Sequence, residues 1–514
     1  MGPAVSELER ARAENQALRD QVAVLQQQLD WLKRQLFGRK SERVPEGQGE
    51  LGLGLQEDEE EKKEEEAPAL PPTKNPPPAR RGGKRETRAQ RLPDHLPVRE
   101  EKIVPLAVQA EPAAWRQMGE EVSEQLEKEP GYLYVRRVIR PKFVKIDAPH
   151  EPPIVSPAPA ALIPGGFLGA GLLAGITLDK FLDHLPLHRI EQRFLRLHGV
   201  RIARQTMSDN LAHLAHSAAL VVAAMERDLW AAGYIQADET PIRCLDRERP
   251  GGSFRGYLWT VTGPPGSDVV FRWAESRGHE VFRDWLPADF RGVVQRDGYS
   301  AYAAVARQRG ADVLWAGCWA HARRKFFEAA RAGDRVASWF VHQIGLLYAV
   351  ERMAREQSLG PVLRQRARAV TSGMVLDRLK RACLRLANRV RPTSLLGKAL
   401  SYTLSQWEAL EVPRHRGEIE IDNNSVENAI RPTALGKKNW LFIGAPEAGA
   451  KAATFYTLIG SCLRRRLNPR AYLLWLYARL PTATNRTAAE LTPAAFARFL
   501  AAAAASTPRG QSAA

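Results

Sequence analysis

The chain has 514 residues, of which 44% are hydrophobic and 26% charged, a balance typical of a soluble globular protein that excludes a collagenous or membrane-dominated chain. At about 150 residues per domain, several domains are expected. The formal charge of +17 predicts polyanionic partners, nucleic acid first and acidic membranes second.

Residues 8–36 carry a heptad pattern, with most apolar positions recurring at alternating spacings of three and four. This pattern predicts a coiled coil within 1–45, and an ordinary amphipathic helix packed on its own chain is the alternative. Asn15 falls at an a position, where a buried amide pairs with its own copy in a two-stranded parallel coil. A homodimer is therefore expected, and its interface residues are Asn15, Leu18, Val22, Leu25, Leu29 and Leu32.

Residues 46–92 have the composition of a disordered linker, in which an acidic run, a proline-rich spacer and a basic run follow one another. The basic run predicts an arm for the DNA minor groove, because its glycines let the backbone approach while guanidinium groups enter the negative potential. A solvated charge run is the alternative. The candidate DNA contacts of this basic arm are Arg80, Arg81, Lys84 and Arg85.

Residues 151–230 are expected to be mainly helical. The uncharged stretch 152–178 is long enough to span a bilayer, but its five prolines and five glycines favour a hinge that leads into a packed helix. After it, a helix, a turn at Gly199 and a second helix beginning near Thr206 resemble a helix-turn-helix. This pattern predicts DNA contact by Arg204, and a plain helical hairpin is the alternative.

Residues 231–440 predict an α/β core with a mixed sheet, because short apolar, β-branched and aromatic runs replace the helical pattern. The predicted strands are 234–245, 256–262, 269–273, 292–295 and 313–318, with a helix at 279–285. Helical periodicity then predicts an insertion over about 320–412. A basic helical segment at 441–482 and a flexible tail at 483–514 complete the expected organisation.

Three acidic residues of this core stand in unusual contexts. Asp238 lies inside the first strand, where a carboxylate costs desolvation energy unless it meets a cation. Asp297 ends the fourth strand before a glycine turn, and Glu427 follows an Asn or Ser N-cap. Each has an ordinary alternative: Glu239 as the working acid, a turn role for Asp297, and a dipole-complementing role for Glu427.

The order of these acids along the chain is that of an RNase H-like catalytic core. Three hard oxygen donors can hold two Mg²⁺ ions about 3.5 to 4 Å apart, and Mn²⁺ can substitute. Cations that suit DNA phosphates lie on the helix after the last strand and on the helix of Glu427. These candidate DNA contacts are His321, Arg323, Arg324, Lys325, Arg431, Lys437 and Lys438.

Several long motifs resemble, in the right order, those of the IS66 family of insertion-sequence transposases. They are QLFGRKSE at 35–42, GEEVSEQLE at 119–127, DET at 238–240, RDGY at 296–299, CWAHARRKF at 318–326 and DNNSVEN at 422–428. The resemblance implies a DDE transposase with Asp238, Asp297 and Glu427 as its metal-binding triad. It also implies binding to the terminal inverted repeats of the element and companion proteins from the same element.

The sequence departs from that family in one respect, because two expected cysteine pairs are absent. The corresponding places read IVPLA at 103–107 and VKID at 144–147. Residues 93–150 are therefore expected to form a degenerate zinc-finger-like module, either held by its apolar core or decayed, and no zinc is expected. The four cysteines form no C-x-x-C pair, which fits a reducing cytosol. The expected location is the bacterial cytoplasm, on the nucleoid when bound to DNA, without membrane association.

The expected function is metal-dependent cleavage and strand transfer of DNA. In this reaction water attacks the phosphodiester at each element end, and the freed 3′-hydroxyl then attacks target DNA. Two alternatives stay open. One is a catalytically silent DNA-binding dimer derived from a transposase, and the other is an RNase H-like nuclease or resolvase.

Overall fold

A computed structural model describes residue 92 and residues 96–129, 131–148 and 150–506. This part of the chain divides into two compact units: the first unit contains Gly233–Asp238 and Gly278–Glu427, and the second unit contains the other described residues. The predicted coiled coil and basic arm lie outside the described residues and stay predictions. Their residues are Asn15, Leu18, Val22, Leu25, Leu29, Leu32, Arg80, Arg81, Lys84 and Arg85.

The described chain begins with strands, continues through helices into a mixed region, and ends in helices. Its first elements are β1 (Val98–Lys102), α1 (Leu106–Ala110), β2 (Trp115–Glu129), β3 (Tyr132–Lys145), β4 (Ile154–Val155), α2 (Ala170–Phe181), α3 (Leu187–His198) and α4 (Arg204–Ala231). The mixed region contains β5 (Tyr234–Leu245), β6 (Ser253–Thr262), β7 (Val269–Ala274), α5 (His279–Trp285), β8 (Gly292–Gln295), α6 (Ser300–Arg309) and β9 (Val313–Ala316). The later helices are α7 (Trp319–Arg331), α8 (Arg335–Glu356), α9 (Pro361–Ala367), a π-helical turn (Arg368–Ser372), α10 (Gly373–Ala387), α11 (Leu395–Ser405), α12 (Trp407–His415), α13 (Asn424–Trp440), α14 (Pro446–Arg464), α15 (Pro469–Arg479) and α16 (Pro493–Ser506).

The first unit is built on a parallel sheet with β8 in its centre. β8 pairs with the first residues of β5 on one side and with β9 along its whole length on the other. Val293 and Val294 are buried, as expected for a central parallel strand covered on both faces. The first position of β8 requires glycine, because a Cβ on residue 292 would lie 2.1 Å from the carbonyl oxygen of Gly233.

The helices α7 to α12 form the insertion of the first unit. The apolar faces of α7, α8, α10, α11 and α12 share one core, in which the rings of Phe326 and Phe340 stack with centroids 4.4 Å apart. Trp319 and Trp407 meet edge to face at 6.0 Å. The insertion thus has a hydrophobic core of its own, and this core supports α7 directly after β9.

The second unit contains a four-stranded sheet over residues 98–155, dominated by the long antiparallel hairpin β2 and β3. Leu126, Leu133 and Val135 are buried with at most 2% of their surface exposed. Arg137 forms ion pairs with Glu124 and Glu100, each at 3.0 Å. In the described residues, apolar packing and cross-strand ion pairs therefore stabilise the module that lacks the cysteine pairs.

The second unit also contains the later part of β5, next to which β6 and β7 form an antiparallel pair. The helix α14 packs against β7, and its hydroxyl groups bond to the backbone of that strand. Thr457 accepts a hydrogen bond from the backbone N–H of Phe271 at 2.9 Å, and Ser461 accepts one from that of Val269 at 3.0 Å. Phe455 of α14 stacks on Phe181 of α2, with centroids 4.9 Å apart.

The α/β class with a mixed sheet is confirmed, while the RNase H-like character stays a prediction. The predicted strands 234–245 and 292–295 and the predicted helix 279–285 coincide with β5, β8 and α5. The strand expected at 313–318 ends earlier, at Ala316, because Cys318 is already the N-cap of α7.

The expectation of a flexible tail from residue 483 is wrong for its described part. Residues 493–506 form α16, and Phe496 is 3% exposed. Its ring contacts Trp475 and Tyr472 of α15 with centroid distances of 5.1 and 5.7 Å. Phe499 also contacts Trp475, at a centroid distance of 5.8 Å, so two phenylalanines hold this alanine-rich helix on the second unit.

In the described part of the chain, no helix is both long and apolar enough to cross a bilayer. The stretch 152–178 instead contains β4 and begins α2, whose Leu172, Leu173 and Ile176 are fully buried in the second unit.

Candidate active site

Strand pairing brings two of the three predicted acids to the same end of the parallel sheet in the first unit. Gln236 of β5 lies opposite Gln295 of β8. Asp238 and Asp297 each lie two residues further along the chain. Both acids therefore follow the last paired residues, at the same end of the two parallel strands. Asp297 is 8% exposed and accepts a hydrogen bond on Oδ1 from the backbone N–H of Tyr299 at 2.9 Å. Asp238 is half-buried.

Glu239 has a different environment from its neighbour Asp238. The Glu239 side chain is 1% exposed and forms an ion pair with Nε of Arg277 at 2.9 Å. A buried carboxylate matched by a guanidinium is well satisfied as a structural pair. The geometry therefore gives Glu239 the role of a buried structural partner of Arg277.

A buried network of polar side chains links the acid-bearing segments of the first unit. Gln236 donates through Nε2 to the carbonyl oxygen of Asp422 at 2.9 Å and accepts on Oε1 from the backbone N–H of Val426 at 3.2 Å. These bonds tie β5 to the first turn of α13, directly before Glu427. Gln295 accepts from the Tyr234 hydroxyl at 2.7 Å and donates to the carbonyl oxygen of Gly317 at 3.0 Å.

Glu427 lies in the first turn of α13, and its environment combines a thiol and an imidazole. Its Oε1 is 3.6 Å from Nδ1 of His321. Within the described residues, the one set of His, Cys, Asp or Glu side chains with ligand atoms all within 4.8 Å of one another is Cys318, His321 and Glu427. The carboxylates of Asp238, Asp297 and Glu427 are therefore not all within this distance of one another.

The segment before α13 is held by a buried carboxylate. Asp422 is 6% exposed, and its Oδ1 accepts from the backbone N–H of Asn424 at 3.2 Å. Burial raises the pKa of Asp422 to about 6, although hydrogen bonds from Tyr348 and Asn424 oppose the shift. Asp422 thus fixes the start of α13 rather than offering a fully exposed charge.

Arg296 supports the loop that carries Asp297. It is 7% exposed, and its Nη1 donates to the carbonyl oxygen of Asp297 at 2.7 Å and to the side-chain oxygen of Gln406. Burial lowers the pKa of this guanidinium, although the neighbouring Asp297 partly offsets the shift. The buried cation therefore braces the backbone at the end of β8.

The predicted DNA contacts of the first unit occupy the first two turns of α7. His321, Arg323, Arg324 and Lys325 are all half-buried. The Lys325 ammonium lies 5.0 Å from the ring centre of Tyr402, and the Arg323 guanidinium lies 5.8 Å from that of Phe327. Aromatic contacts thus restrain two of these cations at the carboxyl end of β9.

The other described DNA candidates belong to the second unit. On α13, Arg431 and Lys437 are half-buried and Lys438 is exposed, and Nζ of Lys437 lies 3.4 Å from the carbonyl oxygen of Pro241. The sequence predicts a helix, a turn at Gly199 and a second helix after this turn. The structure has α3, a C-cap at Gly199 in the left-handed conformation with φ +64°, and α4. Arg204 is exposed at the start of α4 and lines a groove between α3 and α4.

Sequence reasoning missed the supporting residues of this site. Tyr234, Gln236 and Gln295 are polar positions inside apolar strands, and this was the available signal. The sequence does not indicate which groups these side chains bind, because two hydrogen-bond partners of Gln236 lie 186 and 190 residues away along the chain. The proximity of Cys318 to Glu427 was equally invisible.

Fold and site together define an α/β protein with two acids at one end of a parallel sheet and the basic helix α7 directly after β9. Residues 165–452, more than half of the chain, match the family described as Transposase IS66 family. Residues 24–100 match the family described as Transposase C of IS166 homeodomain. The chain therefore belongs to the IS66 family of transposases, as its motifs predicted.

Similar proteins come from Sinorhizobium fredii. The uncharacterized protein y4jD is 33% identical over 404 residues, which cover 76% of this chain and 78% of that protein. The uncharacterized protein y4qI is 30% identical over 501 residues, which cover 93% of this chain and 90% of that protein. The similarity therefore extends beyond the family match at residues 165–452.

Proposed function

We propose that the protein is a DDE transposase that cleaves and joins DNA with Asp238, Asp297 and Glu427. The observation that carries the proposal is the pairing of β5 with β8, because it brings the backbone of Asp238 and Asp297 to one end of the sheet. The hydrogen bonds of Gln236 to the start of α13 support Glu427 as the third member.

The donor chemistry of the triad fits Mg²⁺, with Mn²⁺ as a substitute, because three carboxylates offer the hard oxygen ligands that these ions prefer. Oε1 of Glu427 is buried and has no hydrogen-bond partner among the described residues. Two Mg²⁺ ions, when bound, would supply Lewis-acid activation of the attacking oxygen and charge stabilisation at the leaving oxygen.

The proposed reaction has two phosphoryl-transfer steps. First, water attacks the phosphodiester at an element end, the bond to the 3′ oxygen breaks, and that oxygen leaves as a 3′-hydroxyl. This hydroxyl then attacks a phosphodiester of target DNA, and a target 3′ oxygen leaves. The residues of the chain hold and orient the phosphates, since DDE chemistry needs no covalent bond to the protein.

The proposed partners are the two DNA ends of the element, its target DNA, a second copy of the chain and companion proteins of the same element. Phosphate contacts are assigned to His321 and the cations of α7 in the first unit, and to those of α13 and Arg204 in the second. These contacts, and the dimer of the predicted coiled coil, would place the protein on the bacterial nucleoid in the cytoplasm.

The first prediction concerns catalysis. Asp297→Ala should reduce cleavage and strand transfer on a labelled terminal-repeat duplex by at least about a thousandfold in Mg²⁺ or Mn²⁺, because a required oxygen ligand is lost. DNA binding, measured by gel shift, should stay at the wild-type level. Asp289→Asn removes an exposed carboxylate from the same unit and is the matched control with full activity.

Three other results would redirect the assignment. Cleavage that survives Asp297→Ala would overturn the triad. Tight binding of terminal repeats by a folded wild type that never cleaves, even with companion proteins present, would favour the silent DNA-binding dimer. Cleavage of branched DNA regardless of terminal sequence would favour a nuclease or resolvase.

A further inference from the structure

We propose that Cys318, His321 and Glu427 form a binding site for one Zn²⁺ ion in the first unit. One ligand atom from each side chain lies within 4.8 Å of the other two. The site differs in chemistry from the carboxylate triad, although it shares Glu427 with it. The proposal does not rest on the proposed function, since an ion can bind here whether or not the protein cleaves DNA.

The three side chains of this cluster come from the first residues of two helices, α7 and α13. Cys318 is the N-cap of α7, and His321 follows in the first turn, which gives the C-x-x-H spacing. Glu427 lies in the first turn of α13. Trp319 and Ile421 join the segments that carry the ligands, because the backbone N–H of Trp319 donates to the carbonyl oxygen of Ile421 at 3.0 Å.

The sulfur of Cys318 already receives backbone hydrogen bonds. The N–H of Asn423 donates to Sγ at 3.4 Å, and the N–H of His321 also points to this thiol. Donors of this kind stabilise negative charge on sulfur, and the N-terminus of α7 adds a partial positive charge. Cys318 is 1% exposed, and this burial, together with the carboxylates of Glu427 and Asp422, raises the pKa of its thiol well above the ordinary value. The hydrogen bonds alone therefore do not produce a thiolate, and a bound cation would be needed to hold it.

Two facing polar atoms of the cluster lack hydrogen bonds. Nδ1 of His321 and Oε1 of Glu427 are buried, 3.6 Å apart, and without a hydrogen-bond partner among the described residues. Leaving a buried polar atom unsatisfied is unfavourable, so such atoms need an explanation. A cation between the nitrogen, the oxygen and the sulfur would satisfy all three atoms at once.

The ligand set selects the ion. Thiolate and imidazole ligands favour Zn²⁺, whereas Mg²⁺ prefers oxygen ligands in octahedral geometry. Zinc takes four ligands, so three side chains leave one position for water or another oxygen donor. Binding replaces the S–H bond of Cys318 with a zinc–sulfur bond and releases the proton to solvent. Among the described residues, Oε1 of Glu427 is the unsatisfied carboxylate atom at both proposed sites, so zinc binding would leave only the second carboxylate oxygen of Glu427 for the triad.

This proposal departs from the expectation that no zinc is bound. That expectation came from the missing cysteine pairs around residues 93–150, and these pairs concern another part of the chain. The single thiol of the present site is completed by ligands from two helices. Of these ligands, Glu427 lies 109 residues after Cys318 in the sequence.

The test is metal binding by the full-length protein. Purified without chelator, it should contain about one zinc ion per chain. After chelator treatment, Co²⁺ should restore the site and give the sulfur-to-cobalt charge-transfer absorption that requires a thiolate ligand. Cys318→Ser should abolish this absorption, and His321→Gln should weaken zinc binding at least about tenfold.

Matched controls separate the site from general effects. Cys383→Ser alters another fully buried thiol of the first unit and should retain zinc. Asp297→Ala should retain zinc while losing cleavage, so failure of the zinc site and failure of the proposed function are distinguishable. His321→Gln leaves the buried thiol in place and tests the site even where Cys318→Ser does not fold.

Two results would overturn the proposal. One is folded wild type that binds neither zinc nor cobalt above the level of Cys318→Ser. The other is zinc binding that is unchanged in both Cys318→Ser and His321→Gln, which would assign the ion to other ligands. In either case His321 and Glu427 would form a metal-free pair.

Discussion

At the scale of single residues, Gln236 and Gln295 are buried amides whose hydrogen bonds reach segments far apart in the sequence. Nε2 of Gln236 lies 3.0 Å from Oε1 of Gln295 and 2.9 Å from the carbonyl oxygen of Asp422. The Tyr234 hydroxyl accepts from the backbone N–H of Glu420 at 3.1 Å. The network therefore determines where α13 begins relative to β5 and β8, and we assign Gln236 a positioning role.

Gln236→Leu should lower the free energy of unfolding by about 2 to 4 kcal/mol, because several buried partners lose a hydrogen bond. It should also slow DNA cleavage by at least about tenfold at a temperature where the variant is folded, since Glu427 is no longer held. Urea denaturation measures the first effect, and single-turnover cleavage measures the second.

Gln343→Leu is the matched control for this prediction. Gln343 is 5% exposed in α8 of the same unit and accepts a hydrogen bond from Arg378 at 3.1 Å. It should lose stability without a comparable loss of cleavage rate. Equal effects of the two variants on cleavage would reduce the role of Gln236 to stability alone.

Sequence reasoning at this scale identified the residues but not their surroundings. Asp238, Asp297 and Glu427 carry signals of their own, since each is an acid at a strand or a helix start. Gln236 carries only the weak signal of a polar residue inside an apolar strand, and nothing around Cys318 in the sequence points to Glu427, because both contacts depend on partners from distant segments. No local pattern encodes such a contact, and only the folded chain reveals it.

At the scale of elements, a buried ion network joins the helical insertion to the segment before α13. Arg368 is 1% exposed and pairs with Glu351 through Nε at 2.6 Å, and it also donates to the carbonyl oxygens of Pro413, Arg416 and Ile419. Burial by itself would raise the pKa of Glu351, but Arg368 and Arg364 outweigh burial and lower it.

Arg368→Met should therefore lower the free energy of unfolding by about 3 to 5 kcal/mol, because a buried carboxylate and several carbonyl oxygens lose their partner. Chemical denaturation at neutral pH measures this loss. Because the pKa of Glu351 is lowered in the folded protein, its charged form contributes its full stabilisation at pH values above the ordinary pKa of a glutamate. This contribution is lost as the pH falls through the lowered pKa. Part of the wild-type stability should accordingly disappear on acidification.

Arg366→Met is the control at the element scale, since Arg366 is exposed in α9 two residues earlier. Its free energy of unfolding should change by no more than about 0.5 kcal/mol. A comparable loss in both variants would show that the buried network contributes little.

Elements differ in how well the sequence predicts them. The strands β5 and β8 are apolar or β-branched runs, and prediction and structure agree on both. The hairpin of β2 and β3 was not predicted, because β2 alternates charged residues with few apolar ones. Its strands depend on partners across the hairpin, such as the ion pair of Arg137 with Glu124.

At the scale of the whole molecule, assembly is predicted to depend on residues 1–45, which lie outside the described residues. Deleting residues 1–45 should convert a dimer into a monomer, because the predicted heptads supply the interface. Mass measurement by light scattering at matched concentrations tests this result. Asn15→Val should retain association but broaden it toward other oligomers, since an asparagine at an a position of a coiled coil favours the two-stranded form. A truncated chain that stays dimeric would contradict the predicted interface.

The two ends of the helical insertion lie next to each other, where the chain leaves β9 and where it returns before α13. The N–H of Gly317 donates to the carbonyl oxygen of Ala409 at 2.8 Å, and the N–H of Trp319 donates to that of Ile421 at 3.0 Å. The free-energy cost of closing a loop grows only logarithmically, by about 0.6 kcal/mol for each doubling of its length. The length of the chain between these two points therefore sets only a weak limit on how the insertion is built. The stronger limit comes from packing, because the core of the insertion includes Ile421 and Arg368 donates to the carbonyl oxygen of Ile419, so a change inside the insertion is transmitted to the segment that leads to Glu427.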